Sequence, residues 1–165
     1  MALLAMAIVG ADACDGSPAP DSVSPPAVVA SGSDGSEVQL GLGSYCWRSA
    51  EEQFALCADS IGRITNVDPL VVAVRETVAL DSPLLTDVEI ALHAWSVESD
   101  QPIESAPDWL AWSPSGDPMS LAASIGGGSV AFDADLTPGL YVVSAMVIAP
   151  PGDVLYGLLL RVEGD

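Results

Sequence analysis

The chain has 165 residues, half of them hydrophobic, which suffices for one domain with a real core and some added segments. Its 23 acidic residues stand against 4 arginines and no lysine, a formal net charge of -19. That balance repels phosphate backbones and anionic headgroups, which argues against nucleic-acid partners and direct membrane adsorption, and there is no lysine for a Schiff base or a Walker motif.

The chain opens on the apolar run Met1–Gly10, too short to span a bilayer as a helix. Ala11-Asp12-Ala13 follows as a small-x-small cleavage site, so residues 1–13 read as a signal-peptide-like segment, although no basic residue precedes the run. Cys14 stands where the lipobox of bacterial lipoproteins has its cysteine, and the site resembles one. It departs from that pattern at Ala11, where Leu is usual, and at Asp12. The resemblance implies lipidation at Cys14, an extracytoplasmic location and membrane contact through the anchor alone; ordinary cleavage before Cys14 is the alternative. Residues 14–37 are rich in Ser, Pro, Gly, Ala and Asp and are expected to form a flexible linker. A coil of that kind spans roughly 25–30 Å. Val28 and Val29 are its one apolar knot, enough for a short edge strand.

From Val38 the pattern becomes β-rich, and residues 38–165 are expected to form the folded domain. Val38–Leu42 alternates, Leu70–Val74 and Thr77–Leu80 are short apolar runs, and Asp87–Val97 alternates with Val88, Ile90, Leu92 and Ala94 on one face. Glu89, Ala91, His93 and Trp95 fall on the other. Ser49–Leu56, with Ser49 as cap and Glu52 three residues on, is the one candidate helix. Gly126–Gly128 reads as a turn before the Ser129–Phe132 strand. Leu140–Ile148 and Val154–Glu163 are joined by the turn Pro150–Asp153 as a hairpin. About seven strands without crossover helices predict an all-β antiparallel sandwich.

Asp135–Tyr141, with Pro138-Gly139 before Tyr141, resembles the tyrosine corner of immunoglobulin-like domains. The fold implied is an immunoglobulin-like antiparallel β-sandwich, with Tyr141, Val143, Ala145 and Val147 facing the core. Gly43-Ser-Tyr-Cys-Trp47, followed by Cys57 and Asp59, resembles a motif of uncharacterised exported bacterial proteins that also end in a Pro-Gly-x-Tyr strand and a Tyr-containing hairpin; here the last strand carries Tyr156. That resemblance implies a sandwich and an exported location and brings no activity.

Three cysteines leave one over if the close pair Cys46/Cys57 is bridged, and a lipid gives Cys14 a use. Bridged cysteines hold their Cα atoms within roughly 4.4–6.8 Å. Trp47 is expected to shield the sulfurs.

Chemistry is thinly signalled. His93 is the one histidine, so imidazole-rich metal sites within one chain are excluded. It reads as a surface histidine packed on Trp95, and no Gly-x-Ser-x-Gly elbow accompanies it. Asp117, Asp133, Asp135 and Asp153 sit in loops or at strand ends, without the spacing of a calcium loop. No metal and no cofactor are expected. Trp109 and Trp112 lie in a Pro- and Ser-rich stretch, as recognition anchors or as a flap packed on the sandwich. The expected function is a non-catalytic cell-envelope domain with a binding or structural role toward a protein or glycan. The alternative is a small extracytoplasmic hydrolase using carboxylates or His93.

Overall fold

The computed structural model describes residues 24–48, 55–60, 62–97, 102–114 and 116–164. The signal-like segment and Cys14 lie outside the described residues, as do residues 49–54 of the candidate helix. The described residues form fifteen strands and no helix. In chain order they are β1 (Val29–Ser31), β2 (Glu37–Gln39), β3 (Gly41–Arg48), β4 (Ala55–Ala58), β5 (Arg63–Thr65), β6 (Leu70–Ala73), β7 (Thr77–Asp81), β8 (Glu89–Ser96), β9 (Glu104–Ser105), β10 (Leu110–Trp112), β11 (Met119–Leu121), β12 (Ala123–Gly126), β13 (Ser129–Asp133), β14 (Gly139–Ala149) and β15 (Gly152–Glu163). Ala55 and Leu56, expected at the end of a helix, are strand residues opposite Arg48 and Trp47, because the bridge of Cys57 to Cys46 ties this segment beside β3.

The strands build three sheets. A back sheet of five runs β12-β13-β7-β1-β2, and a front sheet of seven runs β11-β8-β14-β15-β3-β4 with β6 beside β15. A cover sheet of three runs β5-β10-β9. Every pairing is antiparallel except β6 with β15, a parallel exception to the expected pattern. The chain is all-β, and the sheets stay open rather than closing into a barrel, as in a β-sandwich. The strand number exceeds the expected seven because the chain steps between sheets. Val38–Leu42 is not one strand: it bends at buried Leu40, where its N–H donates to Val28 O at 2.9 Å, and passes from back to front sheet.

The core lies between back and front sheets. Val28, Ala30, Val78, Leu80, Val130 and Phe132 come from one side; Leu92, Ala94, Tyr141, Val143, Val147, Tyr156 and Leu160 from the other. Each fully buried Val, Leu or Phe side chain among them stabilises by about 1.5–3 kcal/mol. The tyrosine corner is present: Tyr141 Oη donates to Thr137 O at 2.8 Å. Two tight hairpins follow the turn chemistry. Gly127 and Gly128, both at positive φ, join β12 to β13, and Pro150-Pro151 joins β14 to β15.

The domain begins before Val38, a correction to the linker boundary. β1 is an interior strand, paired with β7 on one side and β2 on the other, not an edge. Composition makes residues 14–37 look uniformly unfoldable. The alternation of buried Val28 and Ala30 with less buried neighbours suffices once β7 and β2 supply the ladder.

Candidate functional site

The outer face of the front sheet carries the cover sheet, and a pair of glycines admits it. Gly41 in β3 and Gly157 in β15 stand opposite each other. A Cβ on Gly157 would lie 2.0 Å from Ile64 O, and one on Gly41 2.7 Å from Thr65 C. The backbone of β5 therefore rests directly on the sheet, where any side chain would block it. Beside it, Leu159 N falls between the β3 and β6 partners of β15, and Asn66 Oδ1 accepts from it at 2.8 Å. Thr65 Oγ1 accepts from Trp112 Nε1 at 3.0 Å and donates to Asn66 O at 3.0 Å.

This layer decides where the tryptophans lie. Trp112 is buried against Val142 and Leu159 in a second small core. It is a packing residue, as the flap reading has it, and not an exposed recognition anchor. Residues 103–112 form a β-hairpin, with Ala106 N donating to Trp109 O at 2.9 Å, so Trp112 is held by strand pairing. Trp109, near its tip, is only half-buried and lines a depression of about 230 Å³ with Leu42, Ser60, Ile64 and Glu104. Trp95, on the outer face as expected, is also buried. The Arg63 guanidinium lies 5.0 Å from the centre of its ring, a cation–π contact. His93 sits beside it, ring centres 6.1 Å apart, and its Nδ1 is 3.4 Å from Ser120 Oγ.

Where the cover sheet stops, none of the described residues covers the outer face, and a groove of about 450 Å³ opens. Its apolar lining is Met146, Leu155 and the Cys46–Cys57 bridge; its polar lining includes Arg63, Asp59 and Asp153. The bridge spans directly opposed residues with Cα atoms 4.0 Å apart, closer than the expected window. Trp47 does not cover it. Strand alternation sends Cys46 outward and Trp47 into the core. Arg63 is also shared with a second depression of about 270 Å³, lined by Trp95, Trp112, Ser113 and Pro114.

The arrangement presents a guanidinium fork pre-ordered by an indole, two exposed carboxylates and an apolar floor. The fork donates to carboxylate or hydroxyl oxygens, and Asp59 and Asp153 accept from hydroxyl or amide donors. Two of the loop carboxylates noted in the sequence are engaged elsewhere: Asp133 accepts from Thr77 Oγ1 at 2.7 Å and Asp135 from Arg75 Nε at 3.2 Å. No cluster of three or more metal-ligand side chains occurs among the described residues. Arg63, Met146 and Leu155 were not signalled as site residues. The usable signals were glycines inside two strands and strands apolar on both faces, each of which points to a second covering layer.

Comparison with family models, with curated proteins and with solved structures finds no match to this chain.

Proposed function

We propose that the chain is a binding domain of the bacterial cell envelope, tethered through lipidated Cys14, whose ligand surface is the groove beside Arg63. The observation that carries the reading is the position of Arg63, stacked on Trp95 at the rim of a concave surface with an apolar floor. Fixing the fork before binding lowers the entropy cost of recognition. A groove that mixes apolar floor with donors and acceptors suits an extended peptide or a glycan. The test is binding of the labelled domain to isolated envelopes, with Arg63→Ala and Met146→Asp as variants. Saturable binding weakened at least about tenfold by either change supports the reading, a loss of about 1.4 kcal/mol. Saturable binding indifferent to both overturns the assignment of the groove. Acylation of Cys14, read by mass spectrometry of the mature protein, tests the tether.

A second reading is favoured by one observation: Asp59 and Asp153 line the same groove. Two carboxylates across a concave site are the equipment of glycoside hydrolysis. Both are solvent-exposed, whereas a general acid is ordinarily set in an apolar pocket. Release of reducing ends from envelope glycans, abolished by Asp153→Asn, is the outcome that supports this alternative.

A further inference from the structure

We propose that β12 is the edge through which two copies of this chain join, strand to strand, about a two-fold axis. β12 ends the back sheet, and all four of its residues are exposed. Alternate residues of an edge strand point their N–H and C=O groups away from the sheet, an open template for another strand. Ile125 stands opposite core residue Val130, so it shares the inward face, yet it is 52 % exposed because none of the described residues extends the sandwich over it.

Edges are ordinarily guarded by charge, proline or a bulge. Glu37 lies in β2, Glu104 in β9 and Arg63 in β5, while β4 is tied by its disulfide beside Asp59. β12 has none of these. Residues 118–132 are 15 in a row without a charge, in a chain with 23 acidic residues. The window covers β11 and β12, so neighbouring edges of front and back sheets are both neutral here.

Charge selects the occupant. Two molecules of net charge -19 repel in most approaches, and a neutral edge is where they meet at least electrostatic cost. A cationic partner would gain nothing from this edge and would be drawn to the acidic surface instead. Antiparallel pairing of β12 with its own copy puts Ile125 beside Ile125 on one face and continues the back sheet through both molecules.

The test is sedimentation equilibrium of the full chain carrying Cys14→Ser, so that no unpaired thiol is present. The expected result is a monomer–dimer equilibrium that strengthens about tenfold or more from about 0.05 to 0.5 M salt, as screening relieves repulsion. Ile125→Glu should weaken the dimer at least about tenfold, with an unchanged melting midpoint at dilutions where the parent is monomeric, since the side chain is half in solvent. Under mild oxidation Ile125→Cys should cross-link between copies, and Glu37→Cys on the opposite edge should not. A monomer at every salt up to about 1 mM protein, association that weakens with salt, or a dimer indifferent to Ile125→Glu each overturns the proposal.

Discussion

Tyr156 in β15 donates its hydroxyl to the carbonyl of Pro26, 130 residues earlier in the chain. The phenol is buried, and the contact locks the entry to β1 onto the middle of the front sheet. Tyr156→Phe leaves the Pro26 carbonyl without this donor and should cost about 1–2 kcal/mol in chemical denaturation. Burial also raises the phenol above its ordinary value of 10.0. The folded chain therefore holds this proton longer than the unfolded one. The stabilisation is complete below pH 10.0 and is lost as pH rises toward the folded value. An alkaline limb of the stability curve that is shallower in Tyr156→Phe than in the parent is the expected signature.

Gly157→Ala should lift the cover sheet without dissolving the sandwich. The added carbon meets Ile64 O at 2.0 Å, so β5 must move away and the Trp112–Thr65 hydrogen bond must open. Tryptophan emission should shift to the red in the native state, and stability should fall by about 2–4 kcal/mol. Unchanged emission would show that β5 does not rest on this glycine.

Replacing Cys46 and Cys57 together by Ser should lower stability by about 3 kcal/mol, because their separation of 11 residues closes only a short loop. Urea unfolding of parent and variant, with and without reductant, measures it. Reductant should shift the parent midpoint and leave the variant untouched.

Glu76 links the loop after β1 to the turn after β6. Its carboxylate accepts from Ala73 N at 2.8 Å and from Ser33 Oγ and Ser33 N at 2.7 Å, and these bonds hold its pKa below the ordinary 4.5. The stabilisation is present above pH 4.5 and is lost as pH falls through the lower folded value. Glu76→Gln should flatten that part of the acid limb, as read from melting midpoints between about pH 5 and 3.

Turns and alternation made much of the fold legible in the sequence. Pro138-Gly139 announced the corner of Tyr141, Pro150-Pro151 the long hairpin, and Leu92 and Ala94 the buried face of β8. The cover sheet was not legible, because β5, β9 and β10 hold only two or three residues each and show no period. Its trace lay in β14 and β15, where Val142 and Leu159 are as buried as their core-facing neighbours. Reading those strands as one-sided hid the layer, and with it the step that forms the groove. Arg63 could not be selected from four arginines by sequence, since its role depends on Trp95, 32 residues away. β1 was obscured by averaging composition over a Pro- and Ser-rich stretch in which a few residues alternate.

β15 occupies the middle of the front sheet, with β14 on one side and β3 and β6 on the other. The chain through Pro151 thus holds three unconnected parts of that sheet: the β3–β4 pair, β6, and the group of β8, β11 and β14. During synthesis none of the three has its central partner until residues 152–163 emerge. Closure then requires pairings across most of the sequence, a topology that folds slowly. Until that strand is in place β14 and β3 each present an unpaired edge, and the front sheet cannot close over the core.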